Sequence, residues 1–193
     1  MSSATGRRRE RAGEAPSAPA AGSGADGDGE PDSHDIARRI VLQRLTQRSR
    51  SRAELARILH DRGCPDEVAA TVLDRMAAVG LVDDAAYAGL VLRSRQGTKG
   101  WARSAVARDL RQRGVDDQVA DAALAHLTEA DELRRAHELV CRRLPGLAGL
   151  PVQVQTRRLS GMLTRRGYPS AVVYRVLRAA LPGAGTVQTD HDD

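Results

Sequence analysis

A threefold repeat constrains this chain more than any other feature. Arg62-Gly63, Arg113-Gly114 and Arg166-Gly167 each sit in the same frame, with the glycines 51 and 53 residues apart. A leucine stands four residues before each glycine (Leu59, Leu110, Leu163), a valine five after it (Val68, Val119, Val172) and a leucine ten after it (Leu73, Leu124, Leu177). The physical reading of the frame is a helix, a glycine stop and a second helix. Residues Ser51 to Arg62 put Leu55, Ile58 and Leu59 on one face, and Gly63 then takes the left-handed conformation that closes a helix with little strain. The cations Arg62, Arg113, Arg165 and Arg166 sit where the helix dipole favours positive charge, so capping accounts for part of their pattern. Pro65 and Pro169 suit the first turn of the following helix, which in the first copy is expected to bury Val68, Val72, Met76 and Val79.

Each copy also has a leading helix, marked by Ile36, Ile40 and Leu45, then by Tyr87, Leu90 and Val91, then by Leu133, Leu139 and Val140. The expected fold is therefore all-α: a tandem array of three three-helix repeats forming an elongated, curved, solenoid-like body. The boundaries read as repeat 1 over 36–82, repeat 2 over 83–128 and repeat 3 over 129–181. Residues 1–35 and 182–193, rich in Ala, Gly, Ser, Pro and charge, read as a disordered leader and a disordered tail.

Composition narrows the function. Phe is absent and aromatics make up 2% of the chain, so the core must be built from Leu, Val, Ile and Ala, which suits thin helical layers. The net charge of +5 divides into −3 for residues 1–35, −3 for the last four residues and +11 for residues 36–189. So basic a middle favours phosphates or an acidic protein surface. Neither a secretory signal nor an apolar run of about 18 residues is present, so the reading is cytoplasmic with no membrane contact. Cys64 and Cys141 read as isolated, reduced, buried thiols rather than a disulfide framework or a zinc site.

Catalytic chemistry finds little support. His34, His60, His126, His137 and His191 are scattered, and none joins a nucleophile motif. Gly97-Thr98-Lys99-Gly100 lacks both the strand and the spacing of a phosphate loop. The pairs Asp83-Asp84 and Asp116-Asp117 precede apolar helical patterns, where aspartate caps free backbone amides. The expectation is a protein with no enzyme activity, cofactor or metal. The candidate binding residues are Arg93, Arg95, Lys99, Arg103, Arg108, Arg111 and Arg113 around the only tryptophan, Trp101, with a second cluster of Arg157, Arg158, Arg165 and Arg166. Arginine holds phosphate or carboxylate in a fork, and tryptophan anchors an interface or stacks on a base. A solvated helix carrying one packed tryptophan accounts for the first cluster equally well.

Over roughly residues 36–181 the order of these features resembles the RecX family of recombinase regulators. The resemblance rests on Ser51-Arg52-Ala53-Glu54-Leu55 leading to Leu59 and Arg62-Gly63, on Gly80-Leu81-Val82-Asp83-Asp84 followed by Tyr87-Ala88 and Arg93, and on Gly100 through Leu110 to Arg113-Gly114-Val115. The closing Leu163, Arg165-Arg166-Gly167-Tyr168 and Val172 also fit. Against the family pattern, the third repeat carries Leu, Val and Met where long aromatics are usual, and Arg stands where Lys is common. The resemblance implies a regulator that lies in the groove of the RecA–DNA filament, inhibits RecA ATP hydrolysis and strand exchange, and so modulates homologous recombination, DNA repair and the SOS response. The implied partners are the RecA filament and, more weakly, single- or double-stranded DNA, bound by a monomer. The competing reading is a direct DNA-binding protein of helix-turn-helix type, since three-helix units with arginine-rich faces also enter a major groove.

Overall fold

A computed structural model describes residues 32–181, and these are all-helical. The helices are α1 (Ser33–Gln47), α2 (Arg52–His60), α3 (Asp66–Ala78), α4 (Asp84–Lys99), α5 (Arg103–Gln112), α6 (Asp117–Leu124), α7 (Glu129–Arg143), α8 (Val152–Arg165) and α9 (Ser170–Ala180), with a 3-10 turn at Leu144–Leu147 after α7. They group in threes, each around its own core. The first core centres on Val41, Leu55, Leu59 and Leu73. The second centres on Val106, Leu110 and Leu124, and the third on Val140, Leu159 and Leu163. All ten of these side chains are at most 1% exposed, and truncating such a buried leucine costs about 2–5 kcal/mol.

The stops behave as the repeat frame requires. Gly63, Gly114 and Gly167 have φ of 76°, 74° and 84°, a region that residues bearing a Cβ enter only under strain. The helix starts are set by short polar side chains. Ser51 forms a capping box with Glu54, Thr128 forms one with Asp131, and Asp32, Asp83 and Asp116 accept amides of the helices they open.

Several expectations need correction. α1 begins at Ser33, capped by Asp32, so order starts before residue 36; the rest of the expected leader and the expected tail lie outside the described residues. Pro65 and Pro169 occupy the N-cap rather than the first turn, at φ −57° and −59° with extended ψ. Val79 is 70% exposed because α3 ends before it, and Val82 takes the buried place beyond the turn. Ile36 and Leu90 are also exposed. Tyr87 and Val140 are buried as expected, and each leading helix also buries a small residue and a larger one a turn later: Ala37 and Val41, Ala88 and Leu92, Ala136 and Val140. A small residue lets a neighbouring helix come close, and the larger one then fills the space beside it. The two cysteines are unpaired, but neither is buried: Cys64 is half-buried and Cys141 faces solvent beside Val140 on α7. No helix among the described residues is long and apolar enough to cross a membrane.

Candidate partner-binding surface

The candidate arginines divide into those that hold the repeats together and those that do not. The dividing line is a joint that the chain builds twice. At each joint the glycine turn of one repeat sits on the first turn of the middle helix of the repeat before it.

At the first joint Ser51, wholly buried, accepts the Glu54 amide at 3.1 Å and donates its hydroxyl to the Arg113 carbonyl at 2.6 Å. A Cβ on Gly114 would run into Ala53. The free Arg52 amide at the start of α2 is satisfied by the Asp84 carboxylate of the next repeat at 2.8 Å. At the second joint Ser104 donates to the Gly167 carbonyl at 2.6 Å, the Ala102 amide donates to the Arg166 carbonyl at 2.9 Å, and a Cβ on Gly167 would lie 2.7 Å from Ala105. The Arg103 amide is satisfied by the Glu132 carboxylate at 2.8 Å. In both cases the following repeat supplies the carboxylate.

Arg113 and Arg166 belong to these joints. Arg113 Nη1 donates to Tyr87 Oη at 2.9 Å and to Glu54 at 3.2 Å, and its Nε lies 3.1 Å from Asp109. Burial works against its charge, but the Tyr87 hydrogen bond and the neighbouring Asp109 outweigh it and raise the Arg113 pKa above the ordinary guanidinium value. Arg166 Nε donates to the Lys99 carbonyl at 2.9 Å. Tyr168, beside it, donates its hydroxyl to the Gly100 carbonyl at 3.1 Å; burial, aided by the Glu132 charge, pushes that hydroxyl up to about 12.

Two more candidates are engaged locally. Arg95 pairs with Asp109 at 2.7 Å and lies over the Trp101 ring, 4.8 Å from its centroid, with Lys99 on the same ring at 5.5 Å. Trp101 itself is half-buried against the second core. Arg111 pairs with Asp117 at 2.6 Å, and that hydrogen bond raises its pKa. The remaining candidates, Arg93, Arg103, Arg108, Arg157, Arg158 and Arg165, are exposed and form no ion pair among the described residues. Arg157, Arg158, Arg165 and Arg166 come together with Arg143 along a groove of about 690 Å³ floored by Leu147 and Met162.

Sequence reasoning missed Arg143 in that groove, and it missed Ser51, Glu54, Asp84, Ser104, Asp109 and Glu132 at the joints. The Ser51-x-x-Glu54 capping box was open to view. The long-range pairings had no local signal. Among the described residues no group of three or more His, Cys, Asp or Glu side chains is placed to hold a metal ion.

The repeats also match known proteins one by one. Models of the first, second and third three-helix domains of RecX match residues 37–76, 83–124 and 129–177. The chain is 47% identical over 149 residues to the regulatory protein RecX of Thermobifida fusca, covering 77% of this chain and 80% of that protein. It is 46% identical over 150 residues to that of Mycolicibacterium smegmatis, covering 75% and 79% of the two chains, and 41% identical over 165 residues to that of Streptomyces coelicolor, covering 84% and 87%. In fold it is similar to the crystal structure of RecX from Lactobacillus salivarius, with a TM-score of 0.69 at 16% identity over 77% of this chain and 96% of that one. The chain belongs to the RecX family of regulatory proteins.

Proposed function

We propose that this protein binds the RecA–DNA filament and inhibits RecA ATP hydrolysis and strand exchange, thereby modulating homologous recombination, DNA repair and the SOS response. Its similarity to proteins named regulatory protein RecX supports a regulatory role. The single observation that carries the partner assignment is the set of exposed arginines that form no ion pair among the described residues. Arg93 on α4 and Arg103 and Arg108 on α5 belong to the middle repeat, and none of them is consumed by the fold. Their target is the acidic RecA surface or the filament's DNA, and no covalent chemistry is asked of this chain.

The test is charge reversal at Arg93, Arg103 and Arg108 together, read as affinity for preassembled RecA filaments on single-stranded DNA. Removing three charge-assisted contacts, at about 1.5 kcal/mol or more each, predicts a loss of about a thousandfold or greater. An unchanged affinity in a variant with wild-type helix content and melting temperature would overturn the assignment. Direct DNA binding of helix-turn-helix type predicts instead that the same variant loses affinity for naked duplex, with no dependence on RecA.

A further inference from the structure

The large apolar side chains that the fold leaves in water are not scattered. Among the described residues seven are exposed, and four of these, Leu42, Val79, Leu81 and Leu90, line two pockets of about 440 and 410 Å³ bounded by α1, α3, the Gly80 turn and the start of α4. Leu42 and Leu81 line both pockets, so the two form one groove. It follows α1 from His34 to Thr46, about 18 Å of helix, and has the buried Val72 and Met76 in its floor. Single exposed apolar residues are ordinary on a protein surface, whereas a contiguous apolar strip rimmed by charge marks a place where a protein is bound.

The charge on that rim is uneven. Arg38 and Arg75 line one end, are exposed and form no ion pair among the described residues, with Asp35 the carboxylate on the same stretch. At the other end Asp83 is spent on the Ala86 amide at 2.9 Å. Arg50 lines that end half-buried, and its Nε is shut off from water with no hydrogen-bond partner among the described residues. Burial, with the charge of the nearby Arg48, lowers its pKa. A donor so placed costs free energy until an acceptor reaches it.

We propose that this groove is the docking site for an amphipathic helix of another protein, one that carries leucine-like side chains along one face and an excess of Asp and Glu beside them. A helix lays apolar residues spaced three and four apart into such a groove, and the length available matches about three turns. Strand addition is disfavoured, since it needs an open sheet edge and the described residues contain no strand. The apolar lining disfavours nucleic acid, whose interfaces are polar and densely basic. Three cations, Arg38, Arg50 and Arg75, against one uncommitted carboxylate, Asp35, favour an acidic partner over a basic one. A carboxylate on the docked helix supplies the acceptor that Arg50 lacks. The inference goes beyond the filament reading and does not depend on it.

The experiment is a selection from a phage-displayed library of randomised helical peptides on the full chain, counter-selected on Leu81→Glu. Leu81 is 51% exposed in the turn after α3, so this variant is expected to fold; Val79→Glu, at a position 70% exposed, takes its place if its melting temperature falls. Survivors are expected to carry apolar residues three, four and seven apart, and more Asp and Glu than Lys and Arg. Their affinity, read by fluorescence anisotropy, is expected to fall by roughly tenfold to a hundredfold on Leu81→Glu, the loss of one buried leucine's contribution. A second selection on Arg38→Glu/Arg75→Glu is expected to return peptides rich in Lys and Arg instead, an inversion that a merely sticky surface does not give. The proposal is overturned if no survivor depends on Leu81, or if the peptides from the two selections do not differ in charge. It is also overturned if wild type sediments as a dimer that Leu81→Glu dissociates, because the occupant is then a second copy of this chain. No RecA enters the selection, so its failure and the failure of the filament role are read separately.

Discussion

The two joints share a plan and differ in what holds them. Both seat a left-handed glycine on the start of a helix, and both cap a free helix amide with a carboxylate from the next repeat. Beyond that, the first is tied by charge: Arg113 bridges Glu54, Asp109 and the Tyr87 hydroxyl, and Arg48 lies 3.7 Å from Glu54. The second is tied by bonds to backbone carbonyls, Arg166 to Lys99 and Tyr168 to Gly100, while its Ser104 to Gly167 bond repeats the Ser51 to Arg113 bond of the first. A repeat interface thus needs a fixed geometry at its centre, whereas the polar groups around it can be exchanged. The first joint is expected to respond to salt and to loss of a charge, the second to loss of a neutral donor.

The largest expected effect comes from breaking the shared centre. Gly167→Ala forces a Cβ to within 2.7 Å of Ala105 and 3.0 Å of the Ala105 backbone nitrogen, whereas Gly63, at nearly the same φ, has open space around it. Gly63→Ala should therefore cost only the left-handed strain, about 1–2 kcal/mol, and Gly167→Ala roughly 3 kcal/mol or more, as read by urea denaturation. Equal costs would mean that the joint yields without resistance.

Charge deletion distinguishes the joints next. Arg113→Met takes one partner from each of Glu54 and Asp109, 15% and 12% exposed, leaving Arg48 and Arg95 beside them, and should cost about 2 kcal/mol. Arg166→Met removes bonds to neutral carbonyls and should cost about 1 kcal/mol. Moderate salt should narrow the first difference and leave the second unchanged. The reverse order would show that the charge network contributes little.

The smallest effect is a pH dependence. The Tyr168 hydroxyl is raised from 10 to about 12 in the folded chain, so its contribution is fully present below pH 10 and is lost as pH rises from 10 through about 12. Tyr168→Phe should lower stability at neutral pH by about 1 kcal/mol and flatten the decline over that alkaline window, followed as melting temperature against pH. A variant that declines as steeply as wild type would remove Tyr168 from the second joint.

The repeat was legible because three glycines with positive φ and their flanking leucines recur at fixed spacing, and helix stops are local. The buried face of the leading helices was legible in part: Tyr87 and Val140 are buried as expected, but Ile36 and Leu90 are exposed, and the small residues Ala37, Ala88 and Ala136, which also lie on that face, gave no signal of their own. The candidate arginines were found as a set but not sorted. Arg113 and Arg166 looked like capping cations at helix ends, yet their partners Glu54 and Lys99 lie 59 and 67 residues away, beyond any local spacing rule.

The filament role is tested most directly by RecA's single-stranded-DNA-dependent ATP hydrolysis, titrated with the full chain from far below equimolar upward at near-physiological salt. The account predicts inhibition at substoichiometric ratios that added DNA does not relieve. No inhibition even at equimolar protein, or inhibition that disappears as DNA is added, would contradict it.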